Sequence, residues 1–487
     1  MGNKFRNILL VGLGIVVGVV ASIQFSAMAQ KQTAPLPLDE LRQLADVFGL
    51  IKSDYVEPVE DKKLLTEAIS GMVSSLDPHS AYLDKKAFQE LKEGTQGRFG
   101  GLGIEVGMED GYVKVISPIE DTPAYRAGIK PGDLITKLDN TSVKGLTLDE
   151  AVKKMRGDPS TKITLTIARK NVTKPIVITL VREEIQVKSV KSKIIEPGYA
   201  WLRIAQFQEP TVEDLATHIN RIYAKNPNIK GIVLDLRNDP GGILPGAIGV
   251  ASIFLPKDSL IVSTDGQLPE SKATFYARPE YYAGRIINDP LAKLPAQIKT
   301  VPMVVLVNIG SASASEIVAG ALQDYKRAVI MGSQTFGKGS VQTIRQISED
   351  TAVKLTTARY YTPKGRSIQA KGIVPDLQVD ETPEGDGING LRIREADLSK
   401  HLTNDDEEDS QGDRLDTEEE MKLLENAKNY KPIEYGTKKD FQLMQAINHL
   451  KGKPVKLSKT KVEDKKADAK DTKTNKQQQE KTPENDK

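Results

Sequence analysis

A run of serines follows the short apolar segment Met303–Val307: Ser311, Ser313 and Ser315 alternate with small residues. A buried strand that runs into a glycine-serine turn and then a helix exposes a hydroxyl beside helix N–H groups and the positive end of the helix dipole. Nucleophile elbows use this geometry, although no G-x-S-x-G pattern is present. The segment therefore predicts a serine nucleophile. The alternative is an S-x-x-E capping box of Ser313 and Glu316, which needs no catalysis.

Two glycine-rich segments could supply the other groups that a serine nucleophile needs. Lys338 lies between Gly337 and Gly339, and a lysine on a close-packed turn can be withdrawn from water. Desolvation lowers the pKa of an amine, which can then act as a general base for a serine. Gly241 and Gly242 follow an apolar run. A Gly-Gly loop at a strand end can direct a backbone N–H at an oxyanion.

The composition excludes several other chemistries. The 487 residues include no cysteine, which excludes disulfides, thiolate metal sites and a cysteine nucleophile. A net charge of +2 provides no basic field for nucleic acid, so no such partner is expected. A histidine metal site is not expected either, because the chain has only four histidines. A Ser-His-Asp triad would have to use one of them: His79, His218, His401 or His449.

The candidate residues fall in a region, 195–380, where apolar runs alternate with helical patterns. Short runs rich in Val and Ile are typical of strands covered on both faces, so the predicted fold class is α/β with a central sheet. Strands are predicted at Trp201–Ile204, Ile229–Leu236, Met303–Val307 and Ala328–Met331, and helices at Val212–Ala224 and Ser315–Leu322. We place this core at 190–452, after a helical region at 38–92.

Residues 96–183 have a different pattern, with clustered glycines and short alternating strands. The loop Gly101-Leu102-Gly103-Ile104 resembles the carboxylate-binding loop of a PDZ domain, and Ala124–Ile135 resembles a turn common in bacterial PDZ domains. Consecutive N–H groups in such a loop form an anion nest, and the adjoining strand edge can accept an extended peptide. A tight hairpin would explain the glycines alone. Strands are predicted at Tyr112–Ile116 and Ile163–Ile167, and a helix at Leu146–Arg156.

Both ends of the chain differ from the middle. Lys4 and Arg6 precede an apolar run, and positive charge before such a run directs the following chain outward. Residues 8–29 are therefore predicted to form a transmembrane anchor, or a signal segment cleaved near Ala29. The Lys-rich tail 453–487 and the acidic insert 404–420 are predicted to be disordered or solvated. Between them, Phe441, Met444, Ile447 and Leu450 predict an amphipathic helix on the core.

The segments together resemble the carboxyl-terminal processing peptidases, also called tail-specific proteases, which are serine proteases with a PDZ domain. The sequence Ser-Ala-Ser-Ala-Ser-Glu-Ile at 311–317 matches the nucleophile motif of the family, with Ser313 as its central serine. The family lysine falls at Lys338, 25 positions later, and the family glutamine at Gln342. Asp324 is sometimes grouped with them. The resemblance spans residues 40–452.

The resemblance implies a crotonase-like α/β protease core with an inserted PDZ domain. It implies that Lys338 activates Ser313 and that Gln342 orients Lys338, while Asp324 either supports catalysis or makes an ordinary contact at a helix end. Backbone N–H groups of Ala314 and of Gly241 or Gly242 would hold the oxyanion. The free carboxyl terminus of a protein substrate would bind the PDZ groove, at Gly101, Leu102, Gly103, Ile104, Leu148 and Val152.

The same resemblance implies no metal or organic cofactor. The helical region at 38–92 is a candidate for homodimer contacts. The charged, apolar N-terminal segment predicts an extracytoplasmic catalytic domain at the cell membrane, or a secreted one after signal cleavage. Two alternatives stay open. Gly332 to Lys338 is a near match to a P-loop, although Gly339 replaces the required Ser or Thr. A catalytically silent PDZ adaptor would have the same domains, and fluorophosphonate labelling of Ser313 would exclude it.

Overall fold

The computed structural model describes residues 36–119, 121–170, 172–284, 289–383, 385, 393–404 and 433–458. The predicted anchor at 8–29 lies outside these ranges, and so do the acidic insert beyond Asn404 and the tail beyond Ser458. All three stay predictions. Within the described ranges, no helix is both long enough and apolar enough to cross a membrane.

The chain divides into two compact units, Met1–Gly71 and Met72–Lys487. The described residues of the first unit form helix α1 (Leu38–Asp54) and most of helix α2 (Asp61–Ser74). Acidic residues in the first turn of α1 and a lysine in its last turn complement the helix dipole. The helical prediction for this part of 38–92 is confirmed. No residue of α1 is buried within the chain, and the predicted homodimer contact stays a prediction.

Strands and helices alternate through the second unit. Its helices are α3 (Lys85–Gln96), α4 (Pro123–Arg126), α5 (Leu148–Met155), α6 (Thr211–Lys225), α7 (Leu244–Phe254), α8 (Pro279–Tyr282), α9 (Ala314–Asp324) and α10 (Phe441–Leu450). Its strands are β1 (Ala81–Leu83), β2 (Arg98–Gly101), β3 (Ile104–Glu109), β4 (Tyr112–Pro118), β5 (Leu134–Leu138), β6 (Thr141–Ser142), β7 (Lys162–Ala168), β8 (Ile176–Val181), β9 (Glu183–Gln186), β10 (Val190–Glu196), β11 (Tyr199–Ile204), β12 (Gly231–Asp235), β13 (Leu260–Asp265), β14 (Ala273–Tyr276), β15 (Met303–Val307), β16 (Val329–Gly332), β17 (Ser340–Gln346), β18 (Ala352–Tyr361) and β19 (Leu377–Gln378).

The core contains a six-stranded sheet in the order β10-β11-β12-β15-β16-β19. The pairs from β11 to β19 are parallel, and β10 is antiparallel to β11. Every residue of β15 is buried, and its side chains alternate between two clusters. Val305 packs in the cluster that includes α6, α7 and α9, and Leu306 packs in the cluster that includes α10. The α/β class and the docked C-terminal helix are confirmed. The relation to crotonases stays a prediction.

A second sheet of the core lies beside the cavity described below. It has the order β1-β18-β13-β14, with β17 paired to β18. The strand β1 was not anticipated, because 38–92 has a helical pattern on both sides of it. Ala81–Leu83 instead pairs antiparallel with β18, after a turn in which Asp77 accepts the N–H groups of His79 and Ser80.

The predicted PDZ region forms its own antiparallel sheet, with the order β3-β4-β5-β7-β8 and with β6 on β5. It encloses a separate hydrophobic cluster. Its entry and exit strands, β2 and β9, pair with each other. The predicted helix at Leu146–Arg156 begins later, at Leu148, because Thr147 caps it. The Thr147 hydroxyl accepts the Glu150 N–H, and Glu150 accepts the Thr147 N–H.

Candidate active site

Ser313 lies on a sharp turn between β15 and α9. Its backbone has φ 55° and ψ −112°, a region that residues other than glycine rarely adopt and that stores strain. The hydroxyls of Ser311 and Ser315 are buried and donate to the carbonyls of Leu236 at 2.7 Å and Asp239 at 3.0 Å. Of the three serines, Ser313 is the one that lines a cavity, which supports it as the nucleophile.

The cavity has a volume of about 630 Å³ and joins segments that are far apart in sequence. The nucleophile turn, the Gly-Gly loop after β12, the lysine turn and the β17–β18 hairpin all border it. The predicted site residues that line it are Ser313, Ala314, Lys338, Gln342, Gly241 and Gly242, and further lining residues include Glu90, Lys354 and Tyr360.

The turn that carries Lys338 packs too closely for a side chain on either neighbour. A Cβ on Gly337 would lie 3.0 Å from the carbonyl carbon of Ala370, and Gly337 has a positive φ of 99°. A Cβ on Gly339 would lie 2.3 Å from the backbone nitrogen of Gln369. The close-packed lysine turn predicted from the two glycines is therefore present.

The Lys338 amine lies in a partly desolvated environment. Burial lowers the pKa of Lys338 below its usual value, and the positive charge of Lys354 lowers it further. The carboxyls of Glu395, Glu316 and Asp77 act in the opposite direction. Among the described residues, no side chain forms a hydrogen bond or ion pair with the Lys338 amine. These are the conditions under which a lysine can serve as a base.

One buried carboxyl, that of Glu316, joins the two turns. Its Oε2 accepts the backbone N–H groups of Ser313 at 2.8 Å and Lys338 at 2.9 Å. Its Oε1 accepts the Gly337 N–H at 2.7 Å and the Thr335 hydroxyl at 2.6 Å. Burial raises the pKa of Glu316 to about 7, against the lowering effect of these hydrogen bonds. Sequence reasoning identified Glu316 only as a capping residue and missed its bond to the lysine turn.

Replacement of Glu316 by glutamine is expected to remove a pH dependence from the stability of the core. The pKa of about 7 exceeds the ordinary value of 4.5, so the Glu316 contribution is full below pH 4.5 and is lost as the pH rises through 7. This difference corresponds to roughly 3 kcal/mol, at about 1.4 kcal/mol per pKa unit. Denaturant unfolding at several pH values measures it, with the fluorescence of Trp201, the single tryptophan, as the signal.

Glu90→Gln is the matched control for this measurement, since Glu90 lines the same cavity but is exposed. The control is expected to keep the wild-type slope of unfolding free energy against pH. Trp201 is buried on β11, so its fluorescence reports on the central sheet. Equal slopes for wild type and Glu316→Gln would show that Glu316 does not titrate in this range.

Tyr360, on β18, lies between the serine and the lysine turn. Its hydroxyl donates to the backbone carbonyl of Lys338, and the nearby Ser313 side chain acts to lower the pKa of Tyr360. Burial raises the pKa of Tyr360 well above its ordinary value, so the phenol stays protonated. Within the described part of the chain, no hydrogen bond joins the Ser313 hydroxyl directly to the Lys338 amine. Sequence reasoning missed Tyr360, and no local motif marks it.

Gln342 lines the cavity but is bound to its own hairpin. Its Nε2 donates to the hydroxyls of Ser340 at 3.0 Å and Thr356 at 3.3 Å. The Thr356 hydroxyl in turn donates to Asp77 at 3.1 Å. For the residues that the structure describes, no hydrogen bond links Gln342 to Lys338. The predicted orienting role of Gln342 therefore stays a prediction.

Asp324 lies at the opposite end of α9 from Ser313. This helix has 11 residues, so the two ends are roughly 16 Å apart at about 1.5 Å per residue. Asp324 forms an ion pair with Arg366 and accepts the Lys364 N–H at 2.9 Å. The structure does not bring Asp324 to the cavity, and the contacts it makes are those of an ordinary polar residue at a helix end.

The Gly-Gly loop packs directly against the nucleophile turn. A Cβ on Gly241 would lie 2.8 Å from both the Ala314 nitrogen and the Ser313 Cβ, so only glycine fits. The Gly241 N–H donates to Asp239 Oδ1 at 2.9 Å and is not available to an oxyanion. The N–H groups of Ala314 and Gly242 have no hydrogen-bond partner among the described residues. Of the two glycines predicted as oxyanion donors, Gly242 is therefore the one with a free N–H.

The predicted carboxylate loop lies at the junction of β2 and β3. Gly101 ends β2, Ile104 begins β3, and Leu102 is buried. Gly103 has a φ of 74°, and a Cβ there would lie 2.2 Å from the Thr122 side chain. The glycine is thus explained by packing as well as by peptide binding. The other two predicted PDZ residues, Leu148 and Val152, are half-buried on α5.

The P-loop alternative at Gly332 to Lys338 is wrong. A P-loop opens a helix whose N-terminus binds phosphate. Here the lysine turn leads into β17, a strand that pairs along its whole length with β18. No helix N-terminus follows Lys338.

Comparisons with known proteins agree with this organisation. Residues 198–379 match the model described as Peptidase family S41, and residues 114–169 match a PDZ domain model. Residues 18–87 match a model described as the Activating protease CtpB N-terminal domain. The first two ranges fall within the predicted core at 190–452 and the predicted PDZ domain at 96–183.

Two curated relatives match most of the chain. A Carboxy-terminal-processing protease of Bartonella bacilliformis is 46% identical over 400 residues, which are 81% of this chain and 88% of that protein. A Probable CtpA-like serine protease of Staphylococcus aureus is 38% identical over 384 residues, 78% of this chain and 73% of that protein. A solved photosystem II D1 C-terminal processing protease is 28% identical at a TM-score of 0.40, covering 70% of this chain and 86% of that chain.

Proposed function

This chain belongs to the carboxy-terminal-processing proteases, serine endopeptidases of family S41 with a PDZ domain, and from that premise we propose a mechanism and a mode of substrate capture. Ser313 and Lys338 act as a catalytic dyad on proteins whose free carboxyl terminus is held by the PDZ domain. The observation that carries the proposal is one cavity with the strained Ser313 turn on one wall and the desolvated Lys338 on another.

In the proposed reaction, neutral Lys338 accepts the proton of the Ser313 hydroxyl, and Oγ attacks the scissile carbonyl carbon. The N–H groups of Ala314 and Gly242 donate to the oxyanion that forms. The resulting Lys338 ammonium then donates its proton to the leaving amine as the C–N bond breaks. Lys338 next activates a water, which attacks the Ser313 ester and releases the new carboxyl terminus.

Tyr360 defines the resting state in this proposal. The Tyr360 proton is donated to the Lys338 carbonyl, so the phenol oxygen can only accept a hydrogen bond from the nearby Ser313 hydroxyl. We propose that the Ser313 side chain turns toward the Lys338 amine before proton transfer, because no hydrogen bond joins the two groups among the described residues. Catalytic hydrogen bonds are often long or misaligned until substrate binds. Bound substrate would favour the rotated side chain by excluding water from the cavity.

Peptide capture is proposed to use the loop from Gly101 to Ile104. The PDZ domain fits the binding of peptides through their carboxyl termini. Backbone N–H groups of the loop would bind the carboxylate, and β3 provides an edge onto which an extended peptide can add as a strand. Leu148 and Val152 on α5 would contact an apolar terminal side chain.

Amidation of a peptide substrate at its carboxyl terminus is expected to raise KM at least about tenfold and to change kcat little. The loss of the carboxylate removes a charge-assisted hydrogen bond worth about 1.5–3 kcal/mol, and each 1.4 kcal/mol is about tenfold in affinity. The measurement compares cleavage of one peptide with an apolar last residue in free and amidated form. Acetylation of the amino terminus is the matched control, because it removes a charge at the other end. Equal KM values for both forms would mean that this loop does not recognise the terminus.

A further inference from the structure

A second carboxyl, that of Asp239, lies beside the proposed oxyanion hole. Asp239 belongs to the loop between β12 and α7 and is completely buried. Its Oδ1 accepts the Gly241 N–H at 2.9 Å and so fixes the residue before Gly242. Its Oδ2 is buried and has no hydrogen-bond partner among the described residues. A buried oxygen of this kind is compatible with a carboxylic acid and costly for a carboxylate.

The backbone of Asp239 also holds the nucleophile turn. Its carbonyl accepts the N–H of Ala312 at 3.0 Å and the hydroxyl of Ser315 at 3.0 Å. These two residues lie on either side of Ser313. One residue therefore contacts both parts of the site, the loop that ends in Gly242 and the turn that presents Ser313 and Ala314.

In the described part of the chain, no free cation forms an ion pair with this carboxyl. Asp235, at the end of β12, forms ion pairs with Arg237 and Arg203. Arg237 also pairs with Asp440, so both arginines are already engaged. The two neighbouring helices supply no cation near this carboxyl. The first turn of α9 contains the acidic Glu316, and α7 has no charged residue.

The groups around Asp239 act on its pKa in opposite directions. Burial raises the pKa of Asp239 well above its ordinary value. The Gly241 N–H and the charge of Arg203 oppose that rise, and the charge of Asp235 adds to it. Tyr435 covers the guanidinium groups of Arg203 and Arg237 and further separates them from water.

We propose that Asp239 is a positioning residue of the oxyanion hole that works as a neutral carboxylic acid, and that its ionisation sets the alkaline limit of the activity. The inference rests on the proposed Ser313–Lys338 function. In the neutral form, the carboxyl holds Gly241 so that the Gly242 N–H stays directed at the cavity. In the ionised form, a buried negative charge lies beside the oxyanion of the transition state. Like charges at short range in a desolvated site raise the energy of that state.

The test measures the rate at which a fluorophosphonate labels Ser313 between pH 6 and pH 10. Labelling requires the dyad and the oxyanion hole but no capture of a peptide by the PDZ domain. The result therefore does not depend on the proposed substrate recognition. Wild type is expected to show a rising limb and then a falling alkaline limb. Asp239→Asn keeps an acceptor for the Gly241 N–H and cannot ionise. It is expected to label within about threefold of wild type at pH 7 and to lose the falling limb.

Asp239→Ala removes the acceptor altogether. It is expected to lower the labelling rate at least about tenfold at pH 7, since one misplaced oxyanion donor costs about 10²–10³ in rate. The fluorescence of Trp201 at each pH shows whether the core is still folded. An unchanged alkaline limb in Asp239→Asn overturns the inference, and so does a wild-type limb that appears only where Trp201 reports unfolding. Absence of any wild-type labelling would instead overturn the proposed dyad.

Discussion

Ser313→Ala is expected to lower peptide cleavage by at least about 10⁴-fold, because the attacking oxygen is removed and no other group in the site can replace it. The neighbouring hydroxyls of Ser311 and Ser315 already donate to the carbonyls of Leu236 and Asp239. The fold should persist. The substitution removes the hydroxyl of the N-cap residue of α9, and the loss of such a cap costs about 1 kcal/mol. Steady-state cleavage and Trp201 fluorescence measure the two effects.

Ser348→Ala is a suitable control for this experiment, because Ser348 lies exposed on the β17–β18 turn. It should leave cleavage unchanged. Mass analysis of the fluorophosphonate adduct should locate the label on Ser313 in wild type. Persistent cleavage by Ser313→Ala, together with loss of cleavage in Ser311→Ala or Ser315→Ala, would shift the nucleophile to another serine.

The central sheet could be predicted because its strands are covered on both faces. Segments such as β12 and β15 then consist almost wholly of buried apolar residues, and this pattern is visible without any knowledge of their partners. The strand β1 could not be predicted in the same way. Its three residues follow a helical pattern, and they form a strand only because β18, far along the chain, provides a partner.

The site was predictable where it depends on local sequence and not where it depends on long-range contacts. The resemblance of the 311–317 motif, and of the lysine 25 positions after Ser313, to the processing peptidases implied the proposed dyad. Glu316 bridges α9 to a turn that lies 21 and 22 positions away, and Tyr360 comes from a later strand. One local signal was overlooked. Asp239 precedes Gly241 by two positions, the spacing of an Asx-turn, which already implies that the Gly241 N–H is occupied.

The histidines illustrate how the structure narrows the choice of base. His79 Nε2 is hydrogen-bonded to Glu395 Oε2 at 2.7 Å, and the His218 ring is hydrogen-bonded to Ser192 at 2.6 Å. His401 contacts the carbonyl of Leu398. Neither these residues nor His449 line the cavity that contains Ser313. Lys338 lines the same cavity as Ser313, and the pKa of Lys338 is lowered chiefly by burial.

Lys338→Arg is expected to be inactive, with a loss comparable to that of Ser313→Ala. Arginine keeps the positive charge but does not deprotonate in the accessible pH range, so it cannot accept the Ser313 proton. In wild type the active form is the neutral amine. Because burial and Lys354 lower the pKa of Lys338, activity should rise with pH through that lowered pKa. The measurement is kcat/KM against pH for wild type and Lys338→Arg.

Two variants make this prediction specific to Lys338. Lys354→Gln removes the charge that helps to lower the pKa of Lys338, so the rising limb should move to higher pH without loss of the maximal rate. Lys338→His should restore part of the activity with a limb near pH 6.5, the ordinary pKa of histidine. If the rising limb of the Lys354→Gln profile stays at the wild-type pH, the group that titrates in that limb is not Lys338. Near-wild-type cleavage by Lys338→Arg would remove Lys338 as the base, because a permanent cation can stabilise charge but cannot take the proton that the Ser313 hydroxyl must lose.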